Sequence, residues 1–201
     1  MKKYELVTEL SKEFFGKTLF RIRALVSFGC VEKGEIGGWI EKEDNLSHEG
    51  KAWVSGEAQV YGEARVYGEA WVYGEAQVSG EARVYGEAQV YGEAQVYGKA
   101  QVYGKAQVSG EALVYGEAQV SGEAWVYGEA HYITIGPIGS EGGVLTAFRQ
   151  GDNSILVSRG CFSGTIDEFA EAVRKRHGGT GYAAEYEIVI KLIEARLVEI
   201  D

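Results

Sequence analysis

The chain is poor in proline, cysteine and histidine, and it has no long hydrophobic run. With one Pro in 201 residues and no apolar stretch of the required length, we expect no transmembrane helix, no secretory signal and no membrane partner. Cys30 and Cys161 lack metal-ligand spacing, and this usage fits free thiols in a reducing cytoplasm. Cations are also scarce. The net charge of −10 argues against a general nucleic-acid binder.

What the chain has instead is a six-residue repeat. Consecutive units reading Val-(Tyr/Ser)-Gly-(Glu/Lys)-Ala-x run from Val54 to the segment that ends at His131. Val and Ala recur at offsets of four and two before Gly interrupts them, which predicts a short two-sided strand followed by a turn. We expect Val and Ala to face a narrow interior. A short repeat of this kind is typical of a parallel β-helix.

A second period, of eighteen residues, predicts the number of sides. Three units per turn would place residues eighteen apart in one vertical column, with neighbours about 4.8 Å apart. Stacked side chains of this kind form aromatic ladders and hydrogen-bonded Gln ladders. We therefore predict a three-sided coil of just over four turns. The sets that repeat at this spacing are Trp53, Trp71 and Trp125; Arg65 and Arg83; and Gln59, Gln77 and Gln95.

The regular units divide the chain into three parts. Residues 1–50 are predicted to form an N-terminal cap with strands at 4–7 and 19–25, and residues 36–53 an irregular first turn. Residues 51–131 form the regular β-helix. Residues 132–201 break the period and predict a small α+β module. Its order is β-β-β-α-α, with strands at 132–135, 144–149 and 154–159, a helix that opens at a Thr165–Glu168 capping box, and a last helix at 183–198.

The repeat block resembles the hexapeptide-repeat family. Val at the first position and Ala at the fifth match that family over residues 52–131, whereas Tyr or Ser at the second position departs from its usual Gly, Asp or Asn. The resemblance implies a left-handed β-helix and a homotrimer, and many members are acyltransferases that use acyl-CoA and a His as general base. The alternative catalytic residue here is His131, which would end the Gln59 column and point outwards; His48 is a second option.

Both flanks resemble prophage and bacteriophage repeat proteins of unassigned function. The short sequence segments that carry this resemblance are residues 20–25, 37–41 and 45–50, and residues 135–139 and 160–169. It implies a host cytoplasmic location if the protein is phage-encoded, and it implies no reaction.

The C-terminal part contains a candidate anion pocket. Its Gly-rich loop at 136–143 can present backbone N–H groups, and the helix that opens after Gly164 adds free donors. Two arginines that close strands could grip a phosphate or a carboxylate. The alternative is that the loops are ordinary turns and both arginines are solvated. The candidate ligand-binding residues are Gly136, Gly139, Ser140, Arg149, Arg159, Cys161 and Ser163.

These observations favour a non-enzymatic phage-type binding protein. Its β-helix would present terminal modules that bind a small anionic ligand, such as a nucleotide signal of host defence, or a host protein. The alternatives are an acyltransferase and a structural or assembly protein. Trp53, Trp71 and Trp125 are expected on the exposed strand faces together with most of the tyrosines, and we expect burial of this aromatic surface between copies. No metal site or resident cofactor is indicated, because no Walker lysine, paired metal ligands or serine-histidine-acid set is present.

Overall fold

The computed structural model describes residues 2–128, 131–150 and 152–197, in which a parallel β-solenoid lies between two terminal caps. As predicted, the fold is mainly β and the solenoid has three sides. Strands pair in parallel with strands eighteen residues away, as in Gln77↔Gln95 and Gln95↔Leu113. Two faces carry five stacked strands and the third carries four, which makes about five turns.

The chain begins with a hairpin, β1 (Tyr4–Phe14) and β2 (Lys17–Ala24), which pairs with the first strand of the solenoid. The first face then consists of β3 (Ile36–Ile40), β5 (Gln59–Val60), β8 (Gln77–Val78), β11 (Gln95–Val96) and β14 (Leu113–Val114). The second consists of β4 (Trp53–Val54), β7 (Trp71–Val72), β10 (Gln89–Val90), β13 (Gln107–Val108) and β16 (Trp125–Val126). The third consists of β6 (Arg65–Val66), β9 (Arg83–Val84), β12 (Gln101–Val102) and β15 (Gln119–Val120).

Val and Ala fill the interior of the regular rungs, as the repeat predicts, whereas Ile40 and Leu46 fill that of the irregular first turn. Each fully buried Val side chain contributes about 1.5–3 kcal/mol relative to an exposed one. The corners need glycine for two reasons. Gly86, for example, has a φ of 72°, and a Cβ there would lie 3.0 Å from the backbone nitrogen of Gly104 on the next turn. The corners of successive turns therefore stack backbone on backbone.

The N-terminal cap closes the first rung, and the irregular first turn is confirmed. Trp39 pairs in parallel with Gln59, and Leu46 forms a parallel bridge to Val66 after a short 3₁₀ turn at Glu43–Asn45. The buried Lys3 ammonium donates to the Ala52 carbonyl at 2.8 Å, and its burial lowers its pKa to about 8. This cap thus joins the hairpin to the solenoid through both backbone and side-chain contacts.

The C-terminal module lies across the other end. Its antiparallel sheet consists of β17 (Tyr132–Ile138), β18 (Gly143–Arg149), β19 (Ile155–Arg159) and β20 (Phe162–Thr165), followed by α1 (Ile166–His177) and α2 (Gly181–Arg196). The order is thus β-β-β-β-α-α, because the predicted loop before α1 forms a fourth strand. Residue 198, where the last helix was predicted to end, lies outside the described residues. Phe148 of β18 is fully buried in the core of the solenoid.

Two expectations about the outer surface of the solenoid are wrong. The eighteen-residue column predicts an exposed Trp53, but this side chain is fully buried because Tyr4 and Phe28 of the cap pack against it at ring-centroid distances of 6.4 and 5.4 Å. The Gln columns exist, yet within the described residues no Gln side chain bonds to another. Instead, tyrosine hydroxyls donate to a Gln on the next turn at 3.2 Å, from Tyr73 to Gln89, Tyr85 to Gln101 and Tyr91 to Gln107.

Candidate ligand-binding site

A cavity of about 330 Å³ opens on the C-terminal module, between the β17–β18 loop, the β19–β20 turn and the two helices. Aromatic rings form much of its wall. Phe162 and Phe169 lie 5.3 Å apart, Phe169 and Tyr186 lie 5.5 Å apart, and His177 lies 5.8 Å from Tyr186. The cavity therefore offers flat apolar surfaces. Its lining comprises Ser140, Glu141, Arg159, Gly160, Cys161, Phe162, Phe169, Ala172, Val173, Arg176, His177 and Tyr186.

Helix α1 supplies one wall because of its helical spacing. Phe169, Val173 and Arg176 recur at intervals of four and three, so they share one face. The first turn of this helix is held by the predicted capping box, in which Thr165 Oγ1 accepts from the Glu168 N–H and Glu168 accepts from the Thr165 N–H at 2.8 Å. The lining residues of α1 thus run from Phe169, at the end of its first turn, to His177 at its C-terminus.

Two arginines supply the positive charge of the cavity. The Arg176 guanidinium group pairs at 2.8 Å with the carboxylate of Glu141, which lies in the β17–β18 loop, and both side chains are about two-thirds exposed. Arg159 donates to the Ile138 carbonyl at 3.0 Å, and its buried Nε has no hydrogen-bond partner within the described chain. An unpaired buried donor is costly, so Arg159 has donor capacity that the protein itself does not satisfy.

The structure brings three of the seven predicted ligand-binding residues together in this cavity: Ser140, Arg159 and Cys161. Gly139 lies beside them. Its N–H donates to Glu185 at 3.0 Å, and a Cβ there would collide with the Tyr186 hydroxyl at 2.1 Å.

The other three lie elsewhere. Gly136 and Ser163 are on strands β17 and β20, outside the lining. Arg149 is buried at the far end of β18, where it donates to the Leu197 carbonyl and, at 3.4 Å, to Asn153. Of the free donors expected at the start of α1, the Glu168 N–H is bonded within the capping box. The cation that sequence reasoning missed is Arg176, which the helical spacing from Phe169 could have revealed.

Of the two histidines considered as catalytic bases, His131 is buried and His48 is partly exposed. His131 was expected to point outwards and this is wrong, since it is only 6% exposed and its ring lies 3.7 Å from that of Tyr127. Burial, and to a lesser extent the charge of Arg149, lowers its pKa. His48 stacks on Tyr4 at 4.3 Å and accepts the Lys3 N–H at 3.2 Å. Neither faces the aromatic cavity.

Among residues 2–128, 131–150 and 152–197, no group of three or more His, Cys, Asp or Glu could hold a metal ion. Over the same ranges, no helix has the length and apolar character needed to cross a bilayer. Cys30 and Cys161 are exposed free thiols.

Comparison with known proteins bears on the solenoid. Three of its segments, residues 58–74, 76–92 and 106–122, match the family model described as YdcK beta solenoid repeat. Together with the parallel eighteen-residue register, this match decides the architecture. The chain contains a repeat β-helix. The matched segments stop short of both caps and of the aromatic cavity, and no curated protein matches the chain.

Proposed function

We propose that the protein is a non-enzymatic binding protein whose solenoid holds a small-molecule site on its C-terminal module. The observation that carries this proposal is the cavity of about 330 Å³ that combines aromatic walls with Arg159 and Arg176. Cavities of this size that are mostly apolar and have a few convergent polar groups are typical ligand sites. A rigid repeat scaffold would keep the module in place without taking part in chemistry.

The lining favours a ligand that joins a planar ring to an anionic group. Phe162, His177 and Tyr186 present flat surfaces against which a ring can stack. The two arginines outnumber the single carboxylate of the lining, Glu141, in a chain whose net charge is −10. A phosphate or a carboxylate that reached Arg176 would replace Glu141 as its partner, because both are oxyanions of matching geometry.

A nucleotide is one ligand with both features. The resemblance of the flanks to prophage proteins supports a specific version, in which the protein sequesters a nucleotide signal of host defence. The base would then stack on the aromatic wall and the phosphate of the nucleotide would pair with Arg159, so that both contacts contribute to the binding energy.

Thermal unfolding in the presence of a panel of mononucleotides and cyclic nucleotides tests this function. A ligand at about 100 times its Kd stabilises the folded state by about 2.7 kcal/mol, which gives a clear rise in Tm. We expect at least one nucleotide to raise the Tm of the wild type and of Arg174→Gln. Arg174 is exposed on α1 and outside the cavity lining, so this variant is a matched loss of charge. The rise should be lost in Arg176→Gln and in Arg159→Gln. A panel without effect, or equal losses in all three variants, would contradict the proposal.

The homotrimer that the family resemblance implies stays a prediction. The tyrosines and tryptophan that are most exposed on the solenoid belong to its C-terminal rungs, and they could be buried between copies. Sedimentation equilibrium on the purified chain measures the assembly directly. These residues are Tyr97, Tyr115, Trp125 and Tyr127.

A further inference from the structure

Two arginines stand in one column on the third face of the solenoid. Arg65 and Arg83 are directly paired across the parallel strands β6 and β9, and both are exposed. The next two members of the column are Gln101 and Gln119. Like charges directly opposite one another on neighbouring strands destabilise a sheet. The first two rungs of this face therefore carry an unfavourable pair of like charges, whereas the following rungs carry neutral side chains at the same position.

No direct ion pair neutralises these arginines. Throughout the described part of the chain, neither arginine has a partner in a hydrogen bond or an ion pair, although cations elsewhere on the solenoid do, as in Lys51–Glu69 at 3.1 Å. The carboxylate of Glu63 is bonded to Lys42, and it acts on Arg65 only through the longer-range attraction of their charges. The two guanidinium groups thus keep all their donors available, at a point in an acidic protein where they repel each other.

Because Arg83 occupies a position where the next turn has Gln101, the hydroxyl group of Tyr67 also lacks the acceptor that its equivalent has. Tyr85 donates to Gln101 on the next turn at 3.2 Å, and the residue in the equivalent position for Tyr67 is Arg83. A guanidinium group has only donors. The Tyr67 ring nevertheless keeps its place in a stacked column, 4.9 Å from that of Tyr85. Its hydroxyl group is thus a further donor beside the two arginines.

These donors border a cavity of about 540 Å³ between the third face and the N-terminal turn. Arg65, Arg83 and Tyr67 line one side, and Ser47 and His48 are among the polar residues of the other. Two acids, Glu43 and Asp44, also line it, and Glu43 is paired with Lys2 at 2.6 Å. The cavity lies at the N-terminal end of the solenoid, so it is separate from the aromatic cavity of the C-terminal module.

We propose that Arg65, Arg83 and Tyr67 bind the phosphate group of a phosphate monoester. Such a group carries a charge of about −1.5 to −2 near pH 7, which matches two guanidinium groups, and its three oxygens can accept from both arginines and from the hydroxyl. Binding relieves the repulsion between the arginines. A ring attached to the phosphate would lie against the tyrosine column that begins at Tyr67. This site does not depend on the function proposed for the C-terminal module.

Arg65→Gln/Arg83→Gln is the decisive variant, because it installs the residue that the same column carries at 101 and 119. We expect it to fold with an unchanged or higher Tm at low salt, since a like-charge pair is removed. Calorimetric titration with inorganic phosphate and with phenyl phosphate should give an affinity at least about 10-fold weaker than that of the wild type. Tyr67→Phe keeps the ring and should weaken binding by a smaller factor.

Arg174→Gln is the matched control for the loss of a cation, because Arg174 lies outside the lining of both cavities, and it should bind both phosphates as the wild type does. The same titrations in an Arg159→Gln background remove the contribution of the C-terminal cavity, and the effect of the double variant should persist there. Acetate, with a single charge, should bind more weakly than phosphate. Three results would overturn the proposal: a wild type that binds neither phosphate at millimolar concentration in low salt, a double variant with wild-type affinity, or a double variant with a lower Tm in the absence of ligand.

Discussion

The regular rungs and the C-terminal module of this protein make their contacts in different ways. In the rungs, each residue meets the residue eighteen positions away, so that Gln95 lies between Gln77 and Leu113. In the module, contacts join residues with no common spacing, such as Gly139 with Glu185 and Arg159 with Ile138. Periodicity therefore determines neighbours in the first region, and only the tertiary fold determines them in the second.

This difference affects how a functional residue can be recognised. A repeat provides its own reference, because each position has equivalents on neighbouring turns that share its environment. Arg65 and Arg83 are informative since Gln occupies the equivalent positions further along the column. The module has no such reference, and its candidate site rests on the cavity itself. Departures from local consistency are expected at functional sites.

The largest loss of stability is expected for substitutions in one glycine column of the regular rungs. Gly98 and Gly116 are neighbours at the same corner, with φ of 73° and 67°. A Cβ on Gly98 would lie 2.9 Å from the Gly116 nitrogen, whereas a Cβ on Gly116 would meet nothing within 4 Å. We expect Gly116→Ala to lower the free energy of unfolding by about 1 kcal/mol, the cost of the left-handed backbone. Gly98→Ala should lower it by about 3 kcal/mol, because a steric clash is added.

Chemical denaturation of the two variants side by side measures this difference. Because both carry the same substitution at nearly the same φ, the backbone strain cancels and the stacking of the corners remains. Equal losses for the two variants would mean that the corner relaxes, and that successive turns are less tightly coupled than the backbone distances imply.

A smaller effect is expected at the N-terminal hairpin, which lies outside the periodic rungs. Phe15 is 83% exposed and has a φ of 46°, and Gly16 follows with a φ of 72°. Two left-handed central residues define the hairpin turn that prefers Asn-Gly. Phe15→Asn should therefore raise the free energy of unfolding by about 0.5–1 kcal/mol. Phe15→Ala, which removes the ring but keeps the unfavourable φ, should bring no gain.

Much of the solenoid could be predicted from the sequence because the relevant contacts repeat. The period of six assigns Val and Ala to the interior and Gly to the corners, and the period of eighteen assigns the columns. The capping box of α1 could also be predicted from the sequence, because Thr165 and Glu168 are only three residues apart. In each case the interaction is local in the sequence or recurs at a fixed interval.

Apart from the missing Gln–Gln bonds, the errors arise where the caps cover the ends of the solenoid. Trp53 belongs to an outward-facing column, yet Tyr4 and Phe28 cover it, and no spacing in the sequence connects these residues. Arg149 closes a strand as predicted, but its side chain reaches the end of α2 rather than the cavity. Which side of a strand receives a helix is a property of tertiary packing. The cavity residues Arg176 and Tyr186 come together for the same reason.

The smallest effect concerns His131, at the junction of the two regions. Burial and the nearby Arg149 lower its pKa below the usual 6.5, so the folded state keeps this ring neutral at a pH where the unfolded chain protonates it. Unfolding then takes up a proton, and stability should fall as the pH drops through about 6.5. His131→Gln, which installs the residue found at 59, 77 and 95 of the expected column, lacks this contribution. In melting curves of both proteins between pH 7.5 and 5.5, the Tm of the wild type should fall relative to that of the variant as the pH falls, because carboxylates affect both equally. Parallel pH profiles would show that the ring binds its proton equally well in the folded and unfolded states, which would contradict the expected effect of its burial.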